Sequence, residues 1–289
     1  MKATLLTRLL FLLVLLLPVG AIAAPALWVV TDAHATIYLF GTVHLLPNDT
    51  AWRFPALEAA LAKSRTLYIE ITDDDPANMA TLVLEYGVDL AHPLADRLDA
   101  AQRQRLTTAA AQAGVPGGMR TLNMMRPWLA ALTLATAPLL KAGLDPQHGV
   151  DKQLKALMLA DGKTVLGLET AGQQIHFLAD MPEPTQLEFL RATLKDVDQG
   201  PAVLTELIDA WKIGDVDRIA RIEEQDMRQQ SPALYQRLLV ERNRAWATKI
   251  AALLRHPGTI FIAVGAAHLA GPDSVQAQLQ KLGIKTVRQ

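Results

Sequence analysis

Two histidines in this chain share one local pattern. Ile37–Pro47 reads IYLFGTVHLLP and Thr259–Pro272 reads TIFIAVGAAHLAGP. In each, an apolar, β-rich run ends at a glycine, Gly41 or Gly265, and a histidine follows three residues later, His44 or His268. One such unit could be a loop residue and nothing more. Two of them, far apart in sequence, predict two similar strand ends meeting at one site, and hint at an old internal duplication. Small residues there let the backbone approach closely.

A carboxylate completes the set. Thr66–Ile71 reads TLYIEI, with Leu67 and Ile69 alternating with Tyr68 and Glu70. Glu70 thus ends a strand one helix after the His44 strand, and ligands of open parallel sheets sit outside the carboxyl ends of the strands. The plain alternative is an acid that faces water. Glu169 follows the run KTVLGL, Lys163–Leu168, in a like position. Two neutral imidazoles and one carboxylate form the set that holds a divalent transition metal with positions left open. Such an ion acidifies a bound water and polarises a carbonyl, while a second carboxylate such as Glu169 could move the proton. The chain has no cysteine, so the expected ligands are His44, Glu70 and His268. Nucleotide-loop, GxSxG and HExxH patterns are all missing from the sequence, which leaves a serine triad or a phosphate loop without local support.

The elements that must carry these groups follow from periodicity. Leu27–Val30 and Thr36–Phe40 read as a hairpin around Thr31–Ala35, with His34 in its turn. Pro55–Ser64 reads as a helix with proline in its first turn. Residues 73–195 read as mostly helical, broken by KTVLGL, and Gly149-Val150-Asp151 opens the helix before that strand, where Asp151 could be a first-turn acid only. Pro127–Leu140 is apolar almost all round and should be buried in the core or against a second copy, with Pro138 kinking or ending it. In Pro232–Arg255 the apolar stripe contains Arg242, which either snorkels to water or pairs with an anion. His92, His148, His176 and His256 have no matching context and read as surface residues.

The fold class expected is α/β, a single domain over 24–289 with a central mixed, mostly parallel sheet, helices on both faces and a large helical insertion at about 73–160. Residues 1–23 carry Lys2 and Arg8, an apolar run Leu9–Leu17 and Ala21-Ile22-Ala23. That order matches a signal peptide cleaved after Ala23, which predicts a periplasmic or secreted protein with no stable membrane insertion after cleavage. A net charge of −1 with interspersed signs gives no footprint for nucleic acid.

The motifs FGTVH (Phe40–His44), YIEI (Tyr68–Ile71), RPW (Arg126–Trp128), GVD (Gly149–Asp151), GLET (Gly167–Thr170), ERN (Glu241–Asn243) and VGAAHLAG (Val264–Gly271) make the chain resemble the TraB/GumN family over nearly all of residues 24–289. That family includes the animal TIKI Wnt-cleaving proteases, described as metal-dependent and using Mn or Co. The resemblance implies that His44, Glu70 and His268 form the active or metal site, and that Glu169 and Arg242 line the pocket. Related folds, similar to erythromycin esterase and the haem-binding ChaN proteins, serve esterase and ligand-binding roles, so resemblance marks the site more firmly than the reaction. The leading expectation is a metal-dependent, peptidase-like hydrolase acting on a peptide or small-molecule substrate. In it Glu169 is the general acid/base and Arg242 stabilises a carboxylate or oxyanion. The alternative is a non-catalytic cell-envelope protein that binds haem, a metal or a polymer fragment.

Overall fold

The first two strands are β1 (Leu27–Thr31), mostly buried, and β2 (Ala35–Thr42), whose first half alternates buried and half-buried positions; they pair antiparallel as the expected hairpin. The structure, a computed structural model, describes residues 23–289 with the exception of residue 49. Apart from Ala23, the expected leader lies outside the described residues. From Leu39 onward β2 is buried on both faces, and so is the second half of β5 (Gly258–Gly265). This is the burial expected of central parallel strands covered by helices. β2 and β5 are indeed parallel neighbours, with Thr42 opposite Gly265.

β3 (Thr66–Ile69) lies parallel on the other side of β5, and β4 (Thr164–Gly167) lies parallel to β3. β6 (Val287–Arg288) is a short strand with no signal in the sequence, and it pairs with β1. The six-stranded order is β4-β3-β5-β2-β1-β6. The sheet is therefore mixed and mostly parallel, and the carboxyl ends of β2, β5, β3 and β4 open on one side.

Helices cover both faces. On one, α1 (Pro55–Lys63), α5 (Val150–Ala160) and α8 (Gly200–Lys212) bury Leu57, Leu154 and Trp211 against Phe40, Leu67 and Phe261. On the other, α10 (Glu241–Leu253) and α11 (Val275–Lys281) bury Trp246, Ile250 and Leu279 against Ile37, Leu39 and Ile262. A separate helical layer has its own core, in which Leu106 of α3 (Ala100–Ala113), Leu134 of α4 (Pro127–Lys141) and Leu190 of α7 (Glu183–Asp196) meet. That layer draws on residues both before and after β4, and α2 (Pro76–Gly87), α6 (Ala171–Ala179) and α9 (Val216–Glu223) complete the covering.

Pro138 does not end α4 at its own position. The helix runs on to Lys141, and Pro138 O accepts from Ala142 N–H. Burial on α4 is confined to Pro127–Ala131 and Leu134, while Leu132 and Leu140 face outward.

Trp211 ties a covering helix to the site end of the sheet, because its buried indole N–H donates to Gly41 O at 2.7 Å. Trp211→Ala removes both the ring and that bond and should cost about 3–5 kcal/mol in urea unfolding. An unchanged midpoint would show that α8 does not anchor the end of β2.

Candidate active site

The loop after β2 carries His44, and the first turn of α5 meets it there. Val150 N–H donates to Val43 O, and Asp151 Oδ1 accepts from His44 Nδ1–H at 3.1 Å. Gly149 is required for this approach, since a Cβ on it would lie 2.6 Å from His44 O. His268 stands in a 3₁₀ turn after β5, Ala266–Leu269, and its buried Nδ1–H donates to Asn243 Oδ1 at 2.6 Å. Each imidazole thus has its Nδ1 fixed by a partner, and each Nε2 faces Glu70 Oε1, at 3.9 Å from His44 and 4.0 Å from His268.

Glu70 lies one residue beyond β3, and its Oε1 also accepts from Gly265 N–H at 2.8 Å. A Cβ on Gly265 would come within 3.2 Å of that oxygen and 3.4 Å of His44 Nε2, so the second glycine of the paired motifs keeps the centre of the site open. Glu169 N–H donates to Glu70 O at 2.8 Å, which extends the β3–β4 pairing and sets the two acids side by side.

Arg242 lies between these acids, and of the two readings the sequence allowed it takes pairing, not snorkelling. Its Nη2 donates to Glu70 Oε2 at 2.7 Å and to Glu169 Oε2 at 2.9 Å, its Nε donates to Glu169 at 3.1 and 3.2 Å, and its Nη1 donates to Leu238 O and His268 Nε2. A guanidinium has five N–H donors, and these contacts occupy all of them, so none is left for a substrate oxyanion. The group also stacks at 4.7 Å on Trp246 and 5.5 Å on Phe177. Gln174 donates to both Glu70 and Glu169.

The cavity at this mouth has a volume of about 310 Å³, with His44, Glu70, Arg242 and His268 at one end and Leu204, Leu207, Leu238 and Leu239 among its walls. Glu169 is brought to the cluster but does not line the cavity; its carboxylate is spent on Arg242 and Gln174. His92, His148 and His176 lie elsewhere, each beside a local aspartate.

The environment drives the titratable groups apart. Burial opposes charge on His44, but the Asp151 hydrogen bond and the charges of Asp151 and Glu70 outweigh it, against Arg242, and raise the imidazole to about 9. More than half of that ring is exposed, so solvent tempers each contribution. His268 goes the other way: burial lowers it, and with the charges of Arg242 and His44 outweighs the pull of Glu70 and holds it at about 3. Burial favours the neutral form of Glu70, yet Arg242, His268, His44 and the Gly265 N–H keep its carboxyl well below the usual carboxylate range.

The donor types suit a divalent ion, and Asp151 and Asn243 act as the outer partners that fix ligand imidazoles. The spacing does not suit one. Tetrahedral neighbours at roughly 2.1 Å from an ion stand about 3.4 Å apart, about half an ångström closer than the observed separations. Arg242 also occupies the His268 lone pair. Among the described residues, no three His, Asp or Glu groups are arranged for one ion.

Asp151 and Asn243 are the partners that sequence reasoning did not assign. Their only signals were their places in the GVD and ERN motifs.

A β-sheet mouth with paired strand-Gly-x-x-His units and a strand-end glutamate defines the class. Residues 26–288 match the model of the TraB/PrgY/gumN family, and the chain belongs to that family. It is similar to the uncharacterized protein YbaP of Escherichia coli K12, 26% identical over 263 residues, which span 89% of this chain and 92% of that one. The YbaP protein of Shigella flexneri matches to the same extent. No solved structure matches.

The sign of the pH dependence follows from His268. Its ordinary value is 6.5 and its folded value about 3. The unfolded chain therefore takes up a proton first, and the stability due to this group, full above 6.5, drains away as pH falls toward 3. Glu70 adds its loss only below its ordinary value of 4.5. Between pH 6.5 and 4.5 wild type should lose stability relative to His268→Asn, measured by urea unfolding. Parallel profiles would contradict a buried neutral His268.

Proposed function

We propose that the chain is a hydrolase of peptide-like or ester carbonyl compounds, exported by its leader-like residues 1–23 to the periplasm or beyond. The observation that carries this reading is His44. Its Nε2 faces the cavity while Asp151 holds Nδ1, the arrangement that fixes a proton-transferring imidazole in acyl hydrolysis, and Glu70 and His268 converge on the same space.

A water hydrogen-bonded at about 2.8 Å to Glu70 Oε1 and His44 Nε2 fits their 3.9 Å separation, while His268 Nε2, which already accepts from Arg242, faces the same oxygen without bonding the water. Attack of its oxygen on the carbonyl carbon passes a proton to Glu70. As the bond to the leaving nitrogen or oxygen breaks, His44, protonated below about 9, gives its Nε2 proton to that atom. The products are a carboxylic acid and an amine or alcohol. Arg242 acts through the others: it sets Glu70, adds to the burial that keeps His268 neutral and keeps Glu169 in place. Glu169 in this reading positions Arg242.

A divalent ion, Mn or Co, is a second reading, favoured by the two Nε2 atoms with fixed tautomers. Binding would need Arg242 to release His268 and the imidazoles to close in. What such an ion supplies is an acidified water, and no step above depends on it.

The test is turnover of a peptide and ester panel by the mature chain, with metal content measured in parallel. His44→Ala and His268→Ala should each lower kcat at least a hundredfold with the fold kept, and wild-type kcat should fall above about pH 9 as His44 loses its proton. Stoichiometric Mn or Co lost in both variants would establish the second reading. Full activity in either folded variant would sink the assignment, and a Soret band on haem titration without turnover would favour the binding-protein alternative.

A further inference from the structure

A second chamber of about 370 Å³ lies beside the reaction cavity, between α4, α7 and α8, with Ala135, Phe189, Ala192, Val197, Val203 and Leu234 in its walls. Glu223 and Met227 belong to the walls of both spaces. On α8 neighbouring residues divide between them: Val203 faces the chamber, while Leu204 and Leu207 face the reaction cavity. The ionisable cluster thus lies in one of two adjoining spaces, lined by Leu204, Leu207, Leu238 and Leu239 on its apolar side and bounded toward the chamber by Glu223 and Met227. Methionine has three rotatable bonds and adapts its shape to what lies beside it.

We infer that the substrate carries a linear apolar chain: it is an acyl ester or amide whose carbonyl lies among His44, Glu70 and His268 and whose tail passes Met227 into the chamber. The placing of the carbonyl rests on the hydrolytic reading above; the placing of the tail does not. Thr193, Glu223 and Ser231 are the polar members of the chamber wall. Ser231 Oγ is buried without a hydrogen-bond partner, so an alkyl chain beside it takes away no bond that the fold makes.

The experiment uses product-like ligands, so binding is read without turnover. Butanoate, octanoate and dodecanoate are titrated calorimetrically into the mature chain, into Ala192→Phe, which fills the chamber, and into Val203→Glu, which charges its wall. Wild type should bind roughly twofold to fourfold more tightly per added methylene, the scale of methylene burial. In both variants the gain from butanoate to dodecanoate should shrink at least tenfold, with butanoate binding and circular dichroism unchanged. Chain-length-independent binding in wild type, or an equal gain in folded variants, would overturn the proposal. The variants act at separate points of the wall, and the wild-type series stands without either. Acetyl esters hydrolysed with no chain-length effect would remove the chamber from the account and leave the hydrolase. Chain-length-dependent binding with no ester or amide turned over would do the reverse.

Discussion

One buried cation holds this site together. Arg242 places a guanidinium among Glu70, Glu169, His268 and a main-chain carbonyl, with all of its N–H groups engaged and Trp246 and Phe177 against its faces. Removing one partner from such a buried set typically costs about 3–5 kcal/mol, because the charges left behind have no counterpart. The geometry of the set also links three strands: Glu70 and Glu169 end β3 and β4, and His268 follows β5. Helix α10 thereby fixes the carboxyl edge of the sheet at the point where substrate would enter.

Burial and the outer partners make two similar histidines chemically different. His44 and His268 arise from matching strand-Gly-x-x-His units, and both turn Nε2 toward Glu70 Oε1. Their outer partners differ in charge: Asp151 is an anion and Asn243 is not. Arg242 touches His268 and only acts at a distance on His44. One imidazole is thus held charged and the other neutral, a difference that environment rather than residue type creates.

Much of this was legible in the sequence. Two short β-rich runs around a polar turn gave the hairpin, period-two alternation gave β3, the apolar run before Gly265 gave β5, and the repeated glycine–histidine spacing predicted that two strand ends meet. β2 and β5 are parallel neighbours with those ends together. The partners of the site groups were hidden because each is brought in by tertiary packing. Asp151 looks like any first-turn acid until α5 docks on Val43. Arg242 on an apolar stripe reads equally as a snorkelling residue, and nothing local says that two carboxylates wait above it. The π-helical turn Gln236–Val240, which precedes Arg242, has no composition signal at all. β6 was too short to read, and α4 continues past Pro138 to Lys141.

The central claim, that an Arg242-centred cluster holds two histidines at one mouth in opposite protonation states, is tested most directly by nitrogen-15 NMR of the imidazoles across pH. The account predicts that His44 stays an imidazolium until about pH 9, while His268 remains a neutral Nδ1–H tautomer from pH 8 down to about pH 5, two units above its folded value of about 3. Two histidines titrating together near their ordinary 6.5 would contradict it.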